Sequence, residues 1–150
     1  MKAFIFSLLL LFSICSFGQS NELAKKVFSL INEARNNPKA FFIKHKTNIE
    51  KFNPQYAKFL STQKSIKAVL WDNGLEAMAK SSVEEKNLNP IYKGKTEMCG
   101  SSSGKGSGNH STDPLYYVCD FYTNVHDADY KYFAIYFNKN NTSFSFQWSI

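Results

Sequence analysis

Apolar residues at Leu23, Val27, Leu30, Ile31 and Ala34 recur at spacings of four, three, one and three. That stripe predicts an amphipathic helix ending near Asn37-Pro38. Asn32, Glu33, Arg35 and Asn36 fall off the stripe and read as a polar shoulder, ordinarily a solvated face. Phe41–Leu60 mixes aromatics with lysines and shows weak periodicity, with a short helix expected only over Pro54–Leu60. Ile66–Leu70 reads as an extended lead-in, and Trp71-Asp72-Asn73-Gly74 as a turn. Asp72 or Asn73 is placed to cap the next helix, and Asn73 with Glu76 has capping-box spacing. That helix carries Leu75, Met78, Ala79, Ser82 and Val83 on one face. Met78 belongs to its packing stripe.

The glycine- and serine-rich segment Tyr92–Pro114 is expected to be a surface loop. Residues 100–106 only echo a phosphate loop, since Cys99 and Gly106 stand where a glycine and a Ser or Thr belong. The aromatic run Leu115–Phe121 fits either a helix or a strand. Tyr130–Phe137 is apolar on both alternating faces, as in a strand covered on both sides. After an Asn138–Asn141 turn, Ser143–Ile150 alternates Phe144, Phe146, Trp148 and Ile150 against serine and glutamine. The simplest architecture is an antiparallel hairpin in a small sheet with helices on both sides.

Residues 1–18 change the picture of where this domain works. Lys2, an apolar run over Ala3–Phe17, and small residues at Ser16 and Gly18 predict a secretory signal peptide cut before Gln19. The domain is then residues 19–150, secreted, periplasmic or held at the cell surface. Cys15 invites a lipid anchor, but Ile14 is bulky where such a site needs a small residue. No other run is apolar enough to span a bilayer.

Cleavage would leave Cys99 and Cys119, an even pair in an oxidising compartment, and one disulfide is expected. It would close a loop of about twenty residues and contribute roughly 3 kcal/mol. A thiol nucleophile is the sharper alternative. The net charge of the cleaved chain is about +5, spread over scattered lysines without any nucleic-acid-binding pattern. The charge implies solubility and weak attraction to anionic cell surfaces. His45, set between two lysines, reads as a surface histidine. Asn109, Asn140 and Asn141 head N-glycosylation patterns.

The first helix with Leu30-Ile31-Asn32-Glu33-Ala34-Arg35, and a Leu70-Trp71-Asp72-x-x-Leu75 entry into the later helix, resembles the CAP superfamily. That superfamily takes in cysteine-rich secretory proteins, antigen 5, pathogenesis-related proteins and bacterial SCP-like relatives. The likeness spans roughly Leu23–Trp148 and is divergent. It implies a three-layer α/β/α sandwich with a small central antiparallel sheet, and a helix at Leu115–Phe121. It also implies a cleft of two histidines and two acidic residues that in some members binds a divalent metal such as zinc. Glu97, in Thr96-Glu97-Met98, matches the first cleft glutamate, and His126 the later histidine. The other histidine has no counterpart in Val83–Thr96; Asp120 is the nearest candidate for the second acid, and His110 a substitute ligand. Glu97 and His126 are the candidates for general acid–base work.

The resemblance implies two functions. The first is an exported, non-catalytic binding module for a lipid, peptide, glycan or partner protein. The alternative is a metal-assisted hydrolase acting on extracellular peptides or cell-wall material. Neither a nucleophile elbow nor His-Glu-x-x-His is present to strengthen the hydrolase. With a histidine missing, the cleft is expected to bind zinc weakly, and the binding module is preferred.

Overall fold

The computed structural model describes residues 22–84, 102–107 and 111–150, so the predicted leader, Glu97, Cys99 and His110 lie outside the described residues. The protein is a mixed α+β domain. In chain order its elements are α1 (Glu22–Asn36), α2 (Pro38–Phe52), α3 (Pro54–Leu60), β1 (Leu70–Trp71), α4 (Asn73–Glu84) and β2 (Ser102–Ser107). They are followed by α5 (Pro114–Asp120), α6 (Tyr122–Val125), β3 (Tyr132–Phe137) and β4 (Ser143–Ser149). No helix among the described residues is long and apolar enough to cross a membrane.

Asn37 ends α1 and starts α2: its side chain accepts from Ala40 N at 3.1 Å, with Pro38 in the first turn. Asn53 does the same for α3, accepting from Tyr56 N at 3.0 Å ahead of Pro54. The full length of α2 departs from the sequence reading. Its inward stripe is Pro38, Phe41, Ile49 and the half-buried His45, while Ile43 points to solvent. A histidine inside the stripe and an isoleucine outside it blur the period that reveals such helices.

At α4 the cap is Asp72, which is buried and accepts from Leu75 N at 2.9 Å. Glu76 is not the capping-box partner of Asn73. Its carboxylate accepts from Trp71 Nε1 at 3.1 Å, and burial raises its pKa.

The sheet runs β1-β3-β4-β2. The predicted hairpin is there, with Phe133 opposite Trp148 and Phe137 opposite Phe144. In its turn Asn141 has φ 53°, a left-handed conformation asparagine tolerates. Asn138 Oδ1 accepts from Thr142 N at 2.8 Å and Ser143 N at 3.2 Å. The sheet is not purely antiparallel, because β1 joins β3 in parallel, Leu70 beside Tyr132. Nor is Tyr92–Pro114 all loop: Ser102–Ser107 pairs antiparallel with β4 as an edge strand. Edge pairing uses backbone groups, so serine and glycine can supply it without an alternating side-chain pattern.

Phe133, Ile135, Phe137, Phe144 and Trp148 enter one core with Val27, Ile31 and Ala34 of α1 and Tyr117 and Val118 of α5. Tyr117 stands edge-on to Phe137 and Phe144 at 5.0 and 5.1 Å. The alternate positions of β4, Ser145, Gln147 and Ser149, are also buried. On β3, Tyr136 belongs to the alternate set and donates its hydroxyl to Glu84 of α4 at 2.7 Å.

Candidate functional site

The shoulder of α1 is not a solvated face. Arg35 is 1 % exposed, and its guanidinium donates to four backbone carbonyls. Nε reaches Lys67 O at 2.7 Å, Nη1 reaches Val125 O at 2.7 Å and Asp127 O at 3.0 Å, and Nη2 reaches Tyr130 O at 2.9 Å. The planar fork suits this task because its donors fan out in one plane. Burial pulls its pKa down and the Asp127 carboxylate offsets part of that. Three residues earlier, Asn32 accepts from Val69 N at 2.8 Å and donates to Val69 O at 3.1 Å, as a neighbouring strand would. Together they fasten α1 to the lead-in of β1 and to the 125–130 segment.

His126 is held by that segment. It closes α6, and the Arg35 contacts to Val125 O and Asp127 O fix the backbone on either side of it. Its Nε2 lies 2.9 Å from the hydroxyl of the fully buried Tyr56. Phe59 stands edge-on to its ring at 5.6 Å, and Tyr122 packs on both Tyr56 and Phe59 at 5.4 Å. Burial first, and the Arg35 charge second, lower its pKa to about 4. The imidazole is therefore neutral at physiological pH, with Nε2 engaged and a buried Nδ1 that has no partner among the described residues.

The other expected site residues are dispersed or outside the description. Asp120 ends α5 at the surface. Glu97 and His110 lie beyond the described residues, and no three His, Cys, Asp or Glu side chains among those described converge to hold a metal ion. Cys119 is buried in the core on α5 and carries no disulfide among the described residues, its expected partner Cys99 lying outside them. Burial, with Asp113 and Asp120 adding to it, pushes its thiol up to about 12. As a free thiol it would be protonated near neutrality, the form that is not nucleophilic.

A groove not anticipated from the sequence lies between α1, α2 and the start of α5, with a volume of about 400 Å³. Glu33 and Lys44 bridge one wall, Nζ to Oε1 at 2.9 Å. His45 is half-buried beside them, tilted on Phe41 at 4.8 Å, with Nε2 3.9 Å from Glu33 Oε1. That is too long for a hydrogen bond, and Nε2 has no partner among the described residues. Burial lowers the pKa of His45 while Glu33 pulls it up. Asp113 lines the far side and caps α5, accepting from Leu115 N at 2.9 Å. Ser29 and Asn48 add neutral polar groups above an apolar floor that includes Leu30 and Leu115. The signal for this groove was the place of His45 four residues after Phe41 and four before Ile49, on an inward face.

Comparison with family models, with curated proteins and with solved structures finds no match to this chain.

Proposed function

We propose that this chain is an exported, CAP-like binding module without catalytic activity, and that its ligand is an extracellular peptide segment held in the α1–α2–α5 groove. The observation that supports this best is the pairing of His126 Nε2 with the buried Tyr56 hydroxyl inside a ring cluster. A histidine used this way anchors a segment, and a metal could be ligated only through its remaining nitrogen, the buried Nδ1. The groove has what a peptide needs: carboxylates at Glu33 and Asp113, ammonium groups at Lys26 and Lys44, an amide at Asn48 and an apolar floor.

The three-layer α/β/α sandwich, the leader cut before Gln19 and the Cys99–Cys119 disulfide belong to the same reading. Contacts of α4 with β3 and β4, and of α1 with β3, support the layers.

The test combines binding and turnover on exported protein. Chemical shifts are followed while a pool of mixed-charge pentapeptides is titrated in. Shifts are expected at Ser29, His45 and Asn48, with Asn48→Leu weakening binding at least fivefold. Casein and peptidoglycan should show no zinc-dependent hydrolysis, and zinc should bind weakly. Sub-micromolar zinc affinity lost in His126→Ala, or hydrolysis lost in Glu97→Gln, would replace the module with the metal-assisted hydrolase.

A further inference from the structure

Charge is unevenly distributed along the described chain. Residues 37–67, which form α2, α3 and the loop that follows, carry seven lysines, and Glu50 is their one acidic residue. Residues 111–150 carry four aspartates and two lysines. The basic stretch also holds a cavity of about 450 Å³ between the start of α2 and residues 61–65. Lys39, Lys64, Gln63 and Ser65 line it, and no carboxylate does. Neither Lys39 nor Lys64 forms an ion pair among the described residues.

The cavity wall is fixed by its ends. Thr62 N donates to Phe59 O at 3.1 Å, Gln63 N to Leu60 O at 3.3 Å, and Ile66 N to Arg35 O at 2.9 Å. The hydroxyls of Ser61 and Thr62 donate to Lys58 O and Phe59 O, at 2.7 and 2.9 Å. Donors for an incoming group are therefore the two ammonium groups, the Gln63 amide and the Ser65 hydroxyl, a set that fits a phosphate. One helical turn beyond Lys39 stands Ile43, 77 % exposed and the most exposed large hydrophobic residue described. Lys39, Ile43 and Lys46 share the outward face of α2.

We infer that this face of α2 with the 61–65 loop is a docking surface for anionic phospholipid membrane, the Lys39–Lys64 cavity taking a lipid phosphate while Ile43 enters the interface. The charge alone would suit any polyanion. The exposed isoleucine beside the cavity favours a bilayer, because an apolar side chain gains by insertion at a membrane interface and gains little against a hydrated polyanion. The surface is separate from the α1–α2–α5 groove, so this inference and the peptide-binding reading stand or fall independently.

The test is cosedimentation of exported protein with vesicles of equal parts phosphatidylglycerol and phosphatidylcholine, and with phosphatidylcholine alone. Binding is expected only to the anionic vesicles and should fall steeply with added salt. Each lysine near such a surface contributes about fivefold, so Lys39→Gln with Lys64→Gln should lower partitioning about 25-fold. Ile43→Ser should weaken binding severalfold and leave its salt dependence in place. Lys139→Gln, in the β3–β4 turn, should change nothing beyond its one charge. All three positions substituted in the patch are exposed, and circular dichroism verifies their folds. Equal binding to both vesicle types, or insensitivity to the Lys39 and Lys64 changes, overturns the inference. Capture by soluble polyphosphate without vesicle binding also overturns it.

Discussion

Asn32 and Glu33 are neighbours on α1, yet they serve opposite kinds of surface. Asn32, with Arg35, faces a seam in which polar groups are met by backbone: five of the donor and acceptor contacts there lie between 2.7 and 3.0 Å. Glu33 faces a groove where contacts are looser, with Lys44 at 2.9 Å, His45 at 3.9 Å and a histidine nitrogen left over. Satisfied buried polarity fixes architecture, whereas incompletely satisfied polarity at an open groove leaves groups for a ligand to use. The difference teaches how to rank polar residues that look alike in sequence. What matters is whether backbone closes over them.

The largest expected effect comes from cutting the seam. Arg35→Met leaves four carbonyls without their charged donor and should cost about 3–5 kcal/mol, measured by urea unfolding. Arg35→Lys should recover little of it, because one ammonium cannot reach carbonyls arranged for a planar fork. A loss below about 1 kcal/mol would mean the seam is not architectural.

His126 gives the seam a pH signature. Its pKa is about 4 in the folded protein, against roughly 6.5 for an unfolded histidine. The folded value is depressed, so the unfolded chain takes up the proton first as pH falls. Stability from this group is complete above about pH 6.5 and is lost progressively toward pH 4, by roughly 2–3 kcal/mol. Unfolding midpoints across that range check it. His126→Phe should flatten this part of the profile, and an unchanged slope would detach His126 from the acid response.

Asn32→Ala removes two bonds to Val69 and should cost about 1–2 kcal/mol while leaving α1 helical. Its coupling with Arg35→Met, read from a double-mutant cycle, tests whether the seam acts as one unit.

Much of the fold was legible because periodicity is visible wherever one face is uniformly apolar, as on α1, α4 and β4. The failures share a cause. Arg35 and Asn32 are buried polar residues whose partners are distant carbonyls, at Lys67, Val69, Val125, Asp127 and Tyr130, and a one-dimensional pattern carries no trace of them. The period of α2 was masked by His45 inside and Ile43 outside. β2 is held by backbone pairing, to which its serines and glycines give no clue. Of the expected site, His126 was found to lie against Tyr56 and the Phe59–Tyr122 rings, neighbours that Val125 and Asp127 in sequence do not suggest. The cleft picture imported with the resemblance concerned ligand types. Whether a histidine's nitrogens stay free depends on packing from α3, more than sixty residues away in the chain.

The smallest expected effect is the one that most directly tries to break the comparison. If the groove is a ligand surface and not architecture, His45→Phe should be nearly neutral, within about 0.5 kcal/mol either way. Phenylalanine keeps the tilted contact with Phe41 and the burial of the ring, and it removes a nitrogen that has no hydrogen-bond partner among the described residues. Gain and loss then nearly cancel, because the depressed pKa means no charged imidazole is given up at neutral pH. Peptide binding, by contrast, should weaken severalfold, since His45 lines the groove and its buried Nε2 lacks the partner that a ligand seated there would have to reach and supply. Urea unfolding and the pentapeptide titration on the same variant separate the two readings. A stability loss above about 2 kcal/mol with unchanged binding would place His45 with Arg35 among the fasteners, and the groove would cease to be a site.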